Sequence, residues 1–241
     1  MSKYCVGIAV AKTIGILGGM GPRATVDLFE KIISNTPATI DQDHLHLIIN
    51  NNPQIPSRVD AFVNKHASPL PVLIESAAVL EKAGADFIIM PCHTAHIWIE
   101  ELQKSTSIPF YNMIENTVSY IIDNQPNTQK TLILATPTTI EKQLYQKLFQ
   151  KNNLDFIVPS ISEQQIVYNL ILKVKSGYIK ENPYIDALNE ILRSYVKKGV
   201  TSFLAACTEI PLLLHFLSKD IEVLDPILML AKMAIQKALE Q

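Results

Sequence analysis

Lys82-Ala83-Gly84-Ala85-Asp86-Phe87-Ile88-Ile89-Met90-Pro91-Cys92 and Lys198-Gly199-Val200-Thr201-Ser202-Phe203-Leu204-Ala205-Ala206-Cys207 carry one pattern twice. In each, a helical stretch closes on a glycine, a short apolar run follows, and a cysteine ends it. Gly84 stands eight residues before Cys92, and Gly199 eight residues before Cys207. Glycine enters the left-handed conformation that ends a helix without steric penalty, and a short apolar run between turn signals reads as a buried strand. Both segments are therefore helix end, turn, buried strand and cysteine, with the thiol at the strand's C-terminal end.

The same order extends outward. Thr13-Ile14-Gly15-Ile16-Leu17 is an apolar run closed by Gly18-Gly19-Met20-Gly21-Pro22, after which Val26, Leu28, Phe29, Ile32 and Ile33 recur at helical spacing. His46 to Asn50 reads as a second strand, Asn51 to Arg58 as a proline-punctuated loop, and Leu70 to Ala83 as a helix. In the second half, Thr131 to Leu134 is a strand that runs into the turn Ala135-Thr136-Pro137-Thr138. Lys130-Thr131-Leu132 echoes Lys12-Thr13-Ile14 at an offset of 118, and the cysteine segments repeat at 115. Two matches in the same order favour duplication over chance. Strands alternating with helices predict parallel sheets covered on both faces. The fold class is α/β: two similar Rossmann-like three-layer halves facing each other across a cleft. Residues 1–107 with 221–241 make the first half, carrying Cys92, and residues 108–220 the second, carrying Cys207.

At 241 residues, 48% hydrophobic and 18% charged, the chain is long and apolar enough to bury a core. A net charge of −2 with scattered lysines offers no basic patch to nucleic acid or to an anionic membrane surface. No apolar run approaches the roughly 20 residues that span a bilayer. Tyr4 to Ala11 follows Lys3 and ends in Ala9-Val10-Ala11, which mimics a cleavage site. The segment is shorter than the about 15–30 residues of a secretory signal and reads as a loosely attached extension of a cytoplasmic protein. Three cysteines, Cys5, Cys92 and Cys207, are too few for a disulfide scaffold.

A free cysteine is ordinarily a small buried hydrophobe. Position argues otherwise for Cys92 and Cys207, because ligands of open α/β sheets bind outside the C-terminal strand ends. A thiol there also faces the N-terminal end of the next helix, so its pKa is expected to fall below the about 8.5 of a free thiol. Inverting a carbon that bears one acidic proton needs a base on one face and an acid on the other, and two opposed halves supply one thiol to each. Fixed N–H donors in a closed site stabilise the carbanion-like transition state. Three other readings compete. A Cys92–Cys207 disulfide is disfavoured in a reducing compartment. A metal site from Cys92, His93 and His96 with His44 and His46 lacks a specific zinc spacing. A single-cysteine nucleophile leaves the other cysteine unexplained.

Several motifs in register resemble the aspartate/glutamate racemase family. They are Thr13-Ile14-Gly15-Ile16-Leu17-Gly18-Gly19-Met20-Gly21-Pro22 with Ala24-Thr25; Asn51-Asn52-Pro53-Gln54-Ile55-Pro56 with Arg58; Met90-Pro91-Cys92-His93-Thr94-Ala95-His96; and Ala206-Cys207-Thr208-Glu209-Ile210. The similarity runs from about Lys12 to the C-terminus. It implies a racemase independent of pyridoxal phosphate and of metal, with no cofactor, built from two flavodoxin-like halves with the active site between them. The implied substrate is an acidic amino acid, aspartate first and glutamate or a wider range second, and the implied assembly a homodimer. The family's catalytic pair falls on Cys92 and Cys207, its substrate-binding arginine on Arg58 and its second-domain lysine on Lys175. An arginine fork suits a carboxylate, and the backbone N–H groups of His93, Thr94 and Ala95, at a helix start, suit another. The Thr94 and Thr208 hydroxyls, with Met20 and Asn52 from the two signature loops, complete the expected substrate contacts.

Two residues depart from the family pattern. His93 stands where the family has Asn, and Ala206 where it has Gly. An imidazole is larger than an amide and takes a charge near neutral pH, which bears on substrate choice more than on mechanism. Two alternatives follow: a related two-cysteine isomerase or decarboxylase acting on another small acid, or a small-acid binding protein without turnover.

Overall fold

A computed structural model of the chain describes residues 11–63, 67–124, 130–218 and 221–240. Cys5 and the signal-like stretch up to Val10 lie outside the described residues. The first half runs β1 (Ile14–Gly18), α1 (Pro22–Asn35), β2 (Leu47–Asn51), α2 (Asp60–Val63), α3 (Leu70–Lys82), β3 (Phe87–Ile89) and α4 (Ile99–Ser105), and α5 (Met113–Asn124) leads from it onto the second sheet. The second runs β4 (Thr131–Ala135), α6 (Pro137–Glu141), α7 (Gln146–Lys151), β5 (Phe156–Ile157), α8 (Ile161–Lys175), α9 (Ile185–Lys197), β6 (Ser202–Ala206) and β7 (Val223–Leu224), and α10 (Pro226–Leu239) closes the chain.

Both sheets are parallel, in the orders β2-β1-β3 and β5-β4-β6-β7. Each central strand, β1 or β4, has its successor on one side and its cysteine-bearing strand on the other. This shared topology is the duplication in three dimensions.

The central strands are apolar throughout because both faces are covered. Along β1 and β3, Ile14, Ile16, Phe87 and Ile89 face α1 and α10, while Leu17, Ile88 and Met90 face α3. Along β4 and β6, Leu132, Leu134, Phe203 and Ala205 face α8 and α9, while Ile133, Ala135, Leu204 and Ala206 face α5 and α7. The alternation has the period of two that strand geometry imposes. Gly84 and Gly199 take φ of 93° and 83°, and an added Cβ at either meets nothing within 4 Å. Their role as helix ends is thus purely conformational.

The crossings between halves lie later than the 107/108 and 220/221 divisions. Phe110 still bridges Ile88 in the first sheet, and β7 pairs with β6 in the second. The chain returns to the first half only with α10, whose Ile227, Leu230, Ala234 and Ala238 pack with Leu28 and Ile32 of α1. The apolar entries at Ile108 and Ile221 do not reveal which sheet edge captures them, because hydrogen-bond pairing across the sheet decides that.

Candidate active site

The C-terminal ends of β1 and β3 in one half, and of β4 and β6 in the other, point toward a common cavity of about 460 Å³. Its wall includes Cys92, His93 and Thr94 from the first cysteine loop, and Cys207, Thr208 and Glu209 from the second. Met20, Arg58, Asp60, Thr136, Tyr168 and Lys175 close it further. Both cysteines are free thiols, 6% and 5% exposed.

The loop after β1 is held by its own backbone. Gly19 N–H donates to Thr25 Oγ1 at 2.9 Å, and Asn52 N–H donates to Gly18 O at 3.3 Å. Met20, the next residue, is thereby turned into the cavity. Arg58 Nη1 donates to the carbonyls of Ile55 (3.1 Å) and Pro56 (2.9 Å), and Nη2 to that of Met20 (3.2 Å). The guanidinium is thus fixed by carbonyl oxygens, and no described carboxylate neutralises it in a salt bridge. A cation held in this way is pre-organised for an incoming anion.

Cys92 sits on a turn pinned by His96. Met113 N–H donates to His96 Nε2 at 3.1 Å, so the ring proton is on Nδ1, which donates to the Cys92 carbonyl at 2.8 Å. Burial holds the His96 pKa at about 4, although the bond to the Cys92 carbonyl pulls the other way. An unfolded chain binds that proton near pH 6.5 and the folded chain does not. Stability is therefore expected to be full above pH 6.5 and to fall by about 3 kcal/mol as the pH drops toward 4. Urea unfolding across that range checks the slope. His96→Gln should remove that share of the slope and leave the share of His93, the other buried imidazole of this loop, and an unchanged slope in that variant would refute the assignment.

His93 lies under the same loop, 2% exposed, with its ring centroid 5.7 Å from that of Tyr145. Both ring nitrogens are closed off and without a hydrogen-bond partner. Burial, and then the neighbouring His96, push its pKa well below 6.5. The charge near neutral pH foreseen from sequence does not develop, because the imidazole is buried in the cavity wall against Tyr145 with both nitrogens closed off. Thr94 Oγ1 joins Thr136 Oγ1 (3.2 Å) and Thr139 Oγ1 (3.0 Å), which are themselves 3.0 Å apart, in a buried ring of hydroxyls spanning the two halves.

Around Cys207 the arrangement is different. Its Sγ donates to Glu209 Oε2 at 3.0 Å, Thr208 Oγ1 donates to the same oxygen at 3.3 Å, and Lys175 Nζ donates to Oε1 at 2.6 Å. Glu209 is 3% exposed. Burial, and then the adjacent carboxylate, push the Cys207 thiol well above its ordinary range, and Lys175 offsets only part of this. The depressed pKa expected for both thiols therefore does not hold at Cys207. The helical turn that follows it, Pro211–Phe216, is a 3₁₀ turn that starts beyond the carboxylate, so the charge nearest the sulfur is negative. At Lys175 burial acts against the charge, but Glu209 and then Cys207 outweigh it and raise its pKa.

Of the residues anticipated from sequence, Cys92, Cys207, Met20, Arg58, His93, Thr94, Lys175 and Thr208 line the one cavity. Asn52 and Ala95 do not. The Asn52 amide is spent on Ser76 Oγ and Gln54 N–H, and Ala95 is buried in the core beside Trp98 and Leu102. Sequence reasoning missed Glu209, Tyr168, Thr136 and Asp60. Glu209 carried a signal, standing two residues after Cys207 in the second cysteine motif. The other three are brought in by folding alone.

Comparison with known proteins agrees with this geometry. The family model Asp/Glu/Hydantoin racemase matches residues 17–234. The broad specificity amino-acid racemase RacX of Bacillus subtilis (strain 168) is 31% identical over 227 residues, 92% of this chain and 96% of its own. The solved structure of Picrophilus torridus aspartate racemase superposes with a TM-score of 0.84 at 33% identity, covering 95% of each chain. A glutamate racemase from Aquifex pyrophilus is 26% identical over 63% of this chain and 58% of its own. A match over most of the length, with both cysteine loops inside it, leaves one conclusion: the chain belongs to the Asp/Glu/hydantoin racemase family.

Proposed function

We propose that this enzyme racemises an acidic amino acid, aspartate first, by two-base proton transfer between Cys92 and Cys207 without a cofactor. The observation that carries the reading is that both thiols, at equivalent strand ends of two duplicated halves, open onto one cavity. A substrate between them has its Cα–H toward one sulfur and the vacant face toward the other. One thiolate takes the proton and the opposite thiol returns one, which inverts the centre. Arg58 holds a carboxylate through its remaining Nη2 donor, while the backbone N–H groups of the Cys92 loop receive the second. The same reading takes the enzyme as a cytoplasmic homodimer with a small-molecule substrate and no nucleic-acid or membrane partner.

A wider substrate range is the second reading, favoured by two observations. Lys175 is already paired with Glu209, so Arg58 is the cation left for substrate among those lining the cavity. The cavity, at about 460 Å³, has room for side chains larger than that of aspartate.

Incubation with D- and L-amino acids in deuterated water tests both. Solvent deuterium on the α-carbon of recovered aspartate, with loss of optical activity, is the expected result, and the rank of other amino acids in the same screen defines the range. Saturable binding with no exchange on any amino acid would sink the proposal in favour of a binding protein.

A further inference from the structure

The two thiols are not equivalent, and the difference is a single carboxylate. Cys207 Sγ donates to Glu209 Oε2 at 3.0 Å, whereas no carboxylate makes a hydrogen bond to Cys92 among the described residues. Glu209 is buried, and Lys175 Nζ at 2.6 Å and Thr208 Oγ1 at 3.3 Å hold it in place. A carboxylate that accepts a thiol proton stabilises the thiol and repels the thiolate. The ordinary activated cysteine has the opposite environment, a cation or a helix N-terminus beside the sulfur. Lys175 only partly offsets this at Cys207, because its ammonium is bonded to the far oxygen of the same carboxylate.

We infer that Glu209 holds the proton on Cys207 between turnovers, so that the free enzyme rests with Cys207 as the acid and Cys92 as the base. This rests on the racemase reading above and deepens it. In one direction the resting form is used directly: the substrate Cα–H bond breaks, its proton goes to Cys92 Sγ, and the Cys207 S–H bond breaks as its proton goes to the opposite face of the carbon. The enzyme is left with a Cys92 thiol and a Cys207 thiolate facing Glu209. It returns to rest by releasing one proton from Cys92 and taking one up on Cys207, with no net change. In the other direction the substrate needs that second, disfavoured form.

The kinetic signature is specific. A racemisation has an equilibrium constant of one, so kcat/KM must be equal for the two enantiomers. The enantiomer that binds the scarce form therefore has a KM and a kcat that are both higher, by the same factor, because apparent affinity falls with the competent fraction. A like charge at hydrogen-bond distance is expected to make that factor about tenfold or more. Glu209 is a positioning residue here, acting through the Cys207 sulfur rather than on substrate.

Two measurements test it on the full chain. The first is thiol labelling of the native protein with iodoacetamide near pH 8, quantified by peptide mass for Cys92 and Cys207 separately, with no reliance on turnover. Cys92 is expected to label about tenfold faster or more, and in Glu209→Gln, where an amide replaces the carboxylate, Cys207 is expected to catch up. The second is KM and kcat for both enantiomers: unequal in the native enzyme by one shared factor, and drawn together in Glu209→Gln. Equal labelling and equal KM values in the native protein would overturn the inference without needing the variant. A labelling difference that Glu209→Gln leaves intact would remove Glu209 as its cause. Absence of α-carbon exchange on every amino acid instead defeats the racemase reading, and the labelling result stands apart from it.

Discussion

Cys92→Ala and Cys207→Ala are each expected to lower racemisation by roughly 10²–10⁴-fold, the range that a positioned acid or base contributes. Each removes the group on one face of the substrate carbon, and the opposite thiol cannot reach the vacated face. The double variant should lose little more than either single one, since an acid and a base that act in one event are not additive. Both side chains are small and lie on the cavity wall, so the urea unfolding midpoint should stay near that of the native protein. Circular dichroism on aspartate enantiomers gives the rates. Normal turnover in both variants would end the two-thiol mechanism.

Gly19→Ala is expected to be the most damaging single substitution to the fold near the site, at about 2–6 kcal/mol. Gly19 has φ of +98°, and an added Cβ would stand 2.4 Å from the Asn52 carbonyl carbon and oxygen and 2.6 Å from its nitrogen. Left-handed backbone strain in a residue with a Cβ contributes about 1–3 kcal/mol, and overpacking a further 1–3. The contact cannot relax cheaply, because the atoms it meets are backbone and Asn52 N–H is bonded to Gly18 O. Any relief must push the β1 loop and the β2 loop apart, moving Met20 and the carbonyl that steadies Arg58. Chemical denaturation measures the loss, and the KM for aspartate should rise in whatever protein remains folded. A variant within about 0.5 kcal/mol of the native protein would show that this close approach is not what sets the loop.

The two loops illustrate what could be read in advance. Gly18-Gly19-Met20-Gly21 and Asn51-Asn52-Pro53 were legible as turns after strands, because glycine and proline act through local sterics. That they press against each other, and so turn the Asn52 side chain away from the cavity toward Ser76, follows from β1 and β2 being neighbours in the sheet. His93 teaches the same lesson. Its place after Cys92 is local, but burial against Tyr145, a residue of the other half, decides that it stays neutral.

Sequence alone determined the α/β class, the duplication and the two cysteines at equivalent strand ends. Each of these follows from a repeating pattern of apolar residues, glycines and spacing carried within a few turns of chain. Tertiary structure alone decided that both thiols share one cavity, that Asn52 and Ala95 stay out of it, and that Glu209 and Lys175 meet beside Cys207 across a separation of 34 residues. Charge and solvation act through space at the scale of a few ångströms, so the environment of a thiol is set by whichever groups folding brings next to it, whatever their distance along the chain.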